Sequence, residues 1–327
     1  MKIGALFSGQ GAQYVGMGRD LYENFPAAKD VFDRAGDDIK HWCFDGDEDA
    51  LKQTAITQPA VYTVSMAAWV SFLDELAKET QARVEIAGMA GFSLGEYAAY
   101  TASGVVADIE TGLEIVRKRG ELMSEAGRRS DGSPRGAMAA LMGSRESVLR
   151  SVEAARGRDV LEAVNFNAPG QTVVAGDKEA VDRLKTVGRD EGLKIIPLNV
   201  STAFHTPIMN SASENFRRFL ENYTFGSPKT PLCSNITGKN FLDGKPKDST
   251  IDAWVRDRMA EQVRRPVLWQ ETIENMRSNG IRCFAEFGPG KTLTKLVKRI
   301  APDACAFNAE DGESLMKTIG EIRDVAQ

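Results

Sequence analysis

Apolar residues in this chain gather in short runs, separated by stretches in which they recur every three or four positions. The runs at 2–7, 84–90, 136–142, 160–165, 172–175, 193–200, 232–234 and 283–287 predict strands. The stretches between them predict helices over 17–24, 25–38 with Pro26 at the start, 59–76, 94–100, 144–156, 208–221, 249–262, 267–279 and 311–325. Thr57-Gln58-Pro59 opens the long helix, with Pro59 at the favoured first position. Asp108 is placed to cap a helix to about Ala126, and Asp177 one to about Glu191. Asp45 to Asp49 reads as an acidic, solvated turn. Gly288-Pro289-Gly290-Lys291 reads as a tight turn into a helix to about Ile300. The pattern changes beyond the polar linker Ser130–Arg135: from Gly136 to Val200 the order is β-α-β-β-α-β, the ferredoxin-like arrangement. This predicts a small inserted subdomain, 131–199, within a larger unit made of 1–130 and 200–327.

Composition narrows the class. The chain has 327 residues, 42% hydrophobic and 27% charged, as in ordinary globular proteins. A net charge of −5 argues against nucleic acid as the main partner, which needs a basic face. The most apolar long stretch, Val61 to Leu76, is interrupted by Thr63, Ser65, Ser71, Asp74 and Glu75, so it predicts a core helix and no membrane span. The N-terminal apolar run is too short for a signal-peptide core. Cys43, Cys233, Cys283 and Cys305 lack metal-ligand spacing and read as reduced thiols, and a cytoplasmic protein is expected.

Candidate chemistry centres on Gly91-Phe92-Ser93-Leu94-Gly95-Glu96, between a predicted strand and a predicted helix. That is the setting of a nucleophile elbow, in which glycines permit a sharp turn that exposes the serine oxygen. The five-residue pattern is weak alone, because a serine nucleophile needs a base. Only two histidines exist: His41 lies in a charged, exposed helix end, whereas His205 lies in the loop Ser201–Pro207 just before a helix. Arg119 lies four residues after Ile115 and three before Leu122, on the apolar side of its helix. A guanidinium there needs a carboxylate, either from the protein core or from an acidic substrate. The glycine-containing loop Ser8–Gln13 lacks the spacing of a nucleotide-binding loop and reads as an ordinary turn or a source of backbone N–H groups beside the elbow.

Seven motifs in order give the chain a family resemblance. They are Gly9-Gln10-Gly11-Ala12-Gln13, Gly91–Glu96, Arg119–Met123, Asn165–Gln171, Ala203-Phe204-His205-Thr206, Gln262–Val267 and Glu286–Lys291. From Phe7 to about Ile300 the chain resembles the malonyl-CoA:acyl-carrier-protein transacylases and the acyltransferase domains of polyketide and fatty acid synthases. The resemblance implies an α/β-hydrolase-like core subdomain carrying the ferredoxin-like insert, with Ser93 as nucleophile and His205 as base. Backbone N–H groups of Gln10 and Leu94 would form the oxyanion hole, Arg119 would pair with the malonyl carboxylate, and the Gln262 carbonyl would orient the histidine. It further implies malonyl-CoA as substrate with no bound cofactor, acyl carrier protein as partner, and a monomer. Two residues depart from the family pattern: Phe92 stands where histidine is common, and Ser8 where proline is usual. Phe204 agrees with the malonyl type, since its bulk would crowd a 2-methyl group.

Three other readings stand beside this one. A serine hydrolase or thioesterase would draw an acid from the interval between Ser93 and His205, where Asp177, Asp182 and Asp190 fall. A non-catalytic carrier-binding module would form no acyl-serine. An acyltransferase of the same family with a different extender unit is the third variant.

Overall fold

The computed structural model describes residues 1–79, 84–200 and 202–326; Ser201, the first residue of the predicted 201–207 loop, lies outside them. Among the described residues eight strands form two sheets: β1 Lys2–Phe7, β2 Glu85–Gly91, β3 Gly136–Met142, β4 Leu161–Ala168, β5 Gln171–Asp177, β6 Lys194–Pro197, β7 Cys283–Phe287 and β8 Cys305–Ala309. The first sheet has the order β2-β1-β7-β8 and is parallel throughout. Its central strands are buried on both faces, as expected of strands covered by helices on either side. The second sheet, β4-β5-β3-β6, pairs antiparallel, the ferredoxin-like order expected for the insert. It buries a small core of its own that includes Leu141, Val152, Leu161 and Leu184.

Because β1 and β2 are parallel neighbours and the chain then crosses to the far side of β1, the loops after β1, β2 and β7 open together at the carboxyl edge. That edge is where open parallel sheets hold ligands. The inserted sheet is also tied to the segment between the helices Ile251–Gln262 and Trp269–Ser278: Phe166 N–H donates to the Val267 carbonyl at 2.9 Å and Val267 N–H to the Val164 carbonyl at 2.8 Å.

Several local expectations are corrected. The long helix spans Thr54–Lys78, so Pro59 sits inside it. The added first turn is held by the Gln53 carbonyl and by the Thr57 hydroxyl, which donates to Leu51 and Gln53 carbonyls. The helix expected over 25–38 stops at Ala35, because Gly36 takes φ 104°, and a new helix runs Asp37–Phe44. The acidic turn contains a short helix, Glu48–Leu51, whose Ala50 N–H is capped by the Asp47 carboxylate. Asp177 does not cap its helix; its carboxylate instead accepts the Val160 N–H at 2.9 Å. The strand expected over 193–200 shortens to Lys194–Pro197. Residues 232–234 make only isolated bridges, Leu232 to Met89 and Cys233 to Asn240, beside the β2 edge.

Candidate active site

The Gly-x-Ser-x-Gly turn folds as its glycines require. A Cβ on Gly91 would lie 1.9 Å from the Gly95 carbonyl carbon, and one on Gly95 would lie 2.1 Å from the Phe7 oxygen. With both absent, the helix Gly95–Ala102 packs directly on the ends of β1 and β2. Ser93 takes φ 51°, and His205 takes φ 62°; they are the described non-glycine residues in the left-handed region. For side-chain-bearing residues this conformation costs roughly 1 kcal/mol or more and survives only where the surroundings enforce it.

Ser93 and His205, 112 positions apart, meet with Oγ 2.8 Å from Nε2. His205 Nδ1 lies 3.1 Å from the Gln262 backbone carbonyl. A carbonyl can only accept, so Nδ1 carries the proton and Nε2 presents its lone pair to the serine hydroxyl. Burial, reinforced by the nearby Arg119 cation, pushes the His205 pKa down to about 4, against the smaller opposing effect of the Gln262 and Arg265 backbones. The imidazole is therefore neutral near pH 7 and free to accept a proton. None of the acids a hydrolase would draw on reaches it: Asp177 holds Val160, Asp182 holds Lys185, and Asp190 is exposed on its helix.

Arg119 lies on the inward face of the Ile109–Ala126 helix, which Asp108 caps through Thr111 N–H, and is 1% exposed. Its two terminal nitrogens donate to Gln58 Oε1 at 2.7 Å, Gln262 Oε1 at 3.0 Å and Ser93 Oγ at 3.2 Å, and Nε has no partner among the described residues. The guanidinium also lies 4.8 Å from the Tyr97 ring centroid. All its polar partners are neutral, so the salt bridge to a core acid is not formed among the described residues. Burial lowers its pKa, yet an arginine stays protonated under such conditions. A buried cation next to the serine is left with capacity for an anion.

The backbone N–H groups of Gln10, after β1, and Leu94, after Ser93, have no hydrogen-bond acceptor among the described residues. The Gln10 side chain is held away by Thr54 Oγ1 at 3.1 Å. Ser8 is explained by Glu286: its hydroxyl donates to a buried carboxylate that also accepts the Leu293 and Thr294 N–H groups opening the Thr292–Ile300 helix. Phe92 packs edge-on against Trp269 at 5.4 Å and, with Phe204, lines a cavity of about 850 Å3. Ser93, Arg119 and His205 are in its wall on the core side, and Met138, Ala140 and Val173 of the inserted sheet close it from the other. That volume suits a sizeable small-molecule ligand.

Sequence reading missed three participants. Gln58 enters as a helix-opening residue but anchors Arg119. The Gln262 side chain, beyond its carbonyl, donates to the Ser93 carbonyl at 2.7 Å. Asn235 donates to the Gly91 carbonyl at 2.7 Å and accepts the Ser93 N–H at 2.8 Å. All three are buried in the folded chain, and no local sequence pattern singles out Gln58 or Asn235.

Residues 6–323 match the acyl transferase domain family. A malonyl CoA-acyl carrier protein transacylase of Bacillus subtilis is 33% identical over 330 residues, covering 99% of this chain and 98% of that protein. The crystal structure of a malonyl CoA-acyl carrier protein transacylase from Clostridium perfringens shares the fold with a TM-score of 0.88 at 33% identity, over 99% of this chain and 98% of the other. A malonyl-transacylase solved in complex with its type II PKS acyl-carrier protein gives a TM-score of 0.86 at 33% identity, over 98% of this chain and 100% of that one. With its length covered and its fold shared, the chain belongs to the acyl transferase domain family.

Proposed function

We propose that this acyltransferase moves a malonyl group from malonyl-CoA to the phosphopantetheine thiol of acyl carrier protein through a malonyl-serine. The Ser93 hydroxyl attacks the thioester carbonyl as its proton passes to His205 Nε2, and the Gln262 carbonyl stabilises the imidazolium through Nδ1–H. The Leu94 and Gln10 N–H groups receive the oxyanion of the tetrahedral intermediate. The intermediate collapses by breaking the C–S bond, and His205 returns the proton to the departing CoA sulfur. In the second half-reaction His205 takes the proton of the carrier thiol, the thiolate attacks the malonyl-serine, and the proton finishes on Ser93 Oγ.

The choice of acyl group rests on Arg119: a buried guanidinium 3.2 Å from the nucleophile with no carboxylate partner among the described residues. The free carboxylate of malonyl completes it, whereas acetyl leaves it uncompensated, which is how a site built for a polar group rejects an analogue lacking it. We also take 1–130 and 200–327 as the catalytic subdomain and 131–199 as the insert, with the chain acting as a monomer in the cytoplasm. The four free thiols suit that compartment, and no helix among the described residues is long and apolar enough to cross a membrane.

Intact-protein mass spectrometry after mixing with malonyl-CoA tests the scheme. The malonyl mass increment is expected on the wild-type chain, absent from Ser93→Ala, and discharged by acyl carrier protein. An increment retained in Ser93→Ala removes Ser93 from the mechanism, and loss to water without transfer to the carrier favours a hydrolase.

A further inference from the structure

We propose that Asn235 is a positioning residue for the acylation step: its carboxamide clamps the turn on both sides of Phe92 and holds Ser93 in its left-handed conformation. The inference rests on the reading of Ser93 as nucleophile.

The clamp is complete on every polar group of Asn235. Nδ2 donates to the Gly91 carbonyl at 2.7 Å, and Oδ1 accepts the Ser93 N–H at 2.8 Å. Its backbone N–H donates to Glu96 Oε1 at 3.1 Å, and its carbonyl accepts the Leu268 N–H at 2.8 Å. Asn235 is itself fully buried, and the segment before it is tied to β2 by Met89 N–H to the Pro231 carbonyl and Cys233 N–H to the Met89 carbonyl. The side chain therefore starts from a fixed base and ends on the two backbone groups that flank the elbow.

This bears on the reacting atoms in two ways. Ser93 sits at φ 51°, where a residue with a Cβ relaxes toward negative φ unless held. Such relaxation swings Oγ away from His205 Nε2 and from the Arg119 guanidinium, which it meets at 2.8 and 3.2 Å. Second, the Ser93 N–H is consumed by Asn235, so the oxyanion falls to Leu94 and Gln10 and cannot settle on the nucleophile's own amide. The carboxamide alone supplies a donor and an acceptor at this spacing; a carboxylate offers two acceptors and opposes the Gly91 carbonyl, whereas a protonated carboxyl restores the pair.

The test compares Asn235→Ala and Asn235→Asp with wild type and with Ser93→Ala. Single-turnover acylation by malonyl-CoA is followed by intact mass and normalised to folded protein. Affinity for malonyl-CoA is measured separately, in a Ser93→Ala background. Asn235→Ala is expected to acylate roughly 100-fold more slowly, the scale of a misplaced reacting group, with affinity held within about twofold. Asn235→Asp is expected to regain roughly tenfold of its deficit relative to wild type between pH 8 and pH 5.5, because full burial beside the Gly91 carbonyl raises its carboxyl well above the ordinary carboxylate range and it takes up a proton there. Of the titratable groups facing this position, His205 and Arg119 beyond Gln262 are present in both proteins and cancel in the ratio, whereas Glu96, whose Oε1 accepts the Asn235 N–H, would couple to a new carboxyl, so the ratio is read with Glu96→Gln in both proteins. An acylation rate within about threefold of wild type, or an Asp-to-wild-type ratio flat across that range, overturns the clamp. If Asn235→Ala does not fold, the pH ratio of Asn235→Asp decides. If Ser93→Ala still acylates, the nucleophile assignment fails first and the clamp falls with it.

Discussion

Replacing Arg119 with methionine separates the two things an arginine beside a nucleophile can do. In the free protein its donors are spread over Gln58, Gln262 and Ser93, all neutral, at 2.7–3.2 Å. When a malonyl carboxylate arrives, two of those donors can form charge-assisted bonds in a water-poor site, each worth about 1.5–3 kcal/mol. Their sum, about 3–6 kcal/mol, corresponds to a fall of roughly 10²–10⁴ in kcat/KM for malonyl-CoA. Acetyl-CoA offers no carboxylate, and the methionine removes a cation that acetyl leaves uncompensated, so its rate should change by less than about tenfold. The thermal cost is bounded by the two carbonyl oxygens, Gln58 Oε1 and Gln262 Oε1, that lose a donor, about 1–3 kcal/mol each before the relief of burying one charge fewer. Quenched-flow acylation with both thioesters, read by intact mass, gives the ratio directly. Equal losses for malonyl and acetyl would mean that Arg119 only braces Ser93 and Gln262, and the carboxylate argument would be wrong.

Four more outcomes follow from the buried groups and the close-packed elbow. Because the His205 pKa is lowered to about 4, the basic form persists in acid: the kcat/KM profile for acylation should lack a His205 limb near 6.5, and a limb there assigned by substitution refutes the burial argument. That same depression makes His205 bind its proton more readily in the unfolded chain, so its contribution to stability declines as pH falls from about 6.5 to about 4. Glu96 has the opposite sign: burial raises its pKa to about 7 and Oε2 has no partner among the described residues, so its stabilising share is full below about 4.5 and is lost as pH rises through 7. Glu96→Gln keeps acceptors for Asn235 and Tyr100 and should flatten the dependence of Tm on pH between 5 and 8; an unchanged slope counts against it. Gly95→Ala forces a methyl to within 2.1 Å of the Phe7 oxygen and should cost about 1–3 kcal/mol or more, visible as a clear drop in Tm; a wild-type Tm would show that the elbow can yield.

The parts of the site that were legible in the sequence are those that break a local rule. Serine between two glycines at a strand end, arginine on an apolar helix face and histidine in an otherwise histidine-poor chain all stand out against their neighbours. Asn235 and Gln58 break no rule where they sit, since an Asn after a short apolar run or a Gln near a helix start is ordinary. Their meaning comes from partners 142 and 61 positions away, and periodicity carries no such information. The fold followed the same division. Strands β1 and β7 are short, mostly apolar runs buried on both faces and match their expected bounds, and the β-α-β-β-α-β order is written in alternating element types. The misplaced boundaries are local contests: a threonine hydroxyl and a backbone carbonyl extended the long helix ahead of Pro59, and Gly36 divided a helix that residue spacing alone ran through.

The pairing of Phe166 and Val164 with Val267 changes what the inserted sheet is. Val267 lies five residues after Gln262, whose carbonyl sets the histidine tautomer. An insert attached only by its two chain ends could be cut out or exchanged with its host little affected. Here excision would strand a backbone donor and acceptor at Val267 in the middle of the fold and remove one wall of the cavity. The chain is thus modular in its topology and indivisible in its mechanics: a graft of this insert onto another core must bring the Val267 segment with it, or the segment that follows Gln262 loses its footing along with one wall of the cavity.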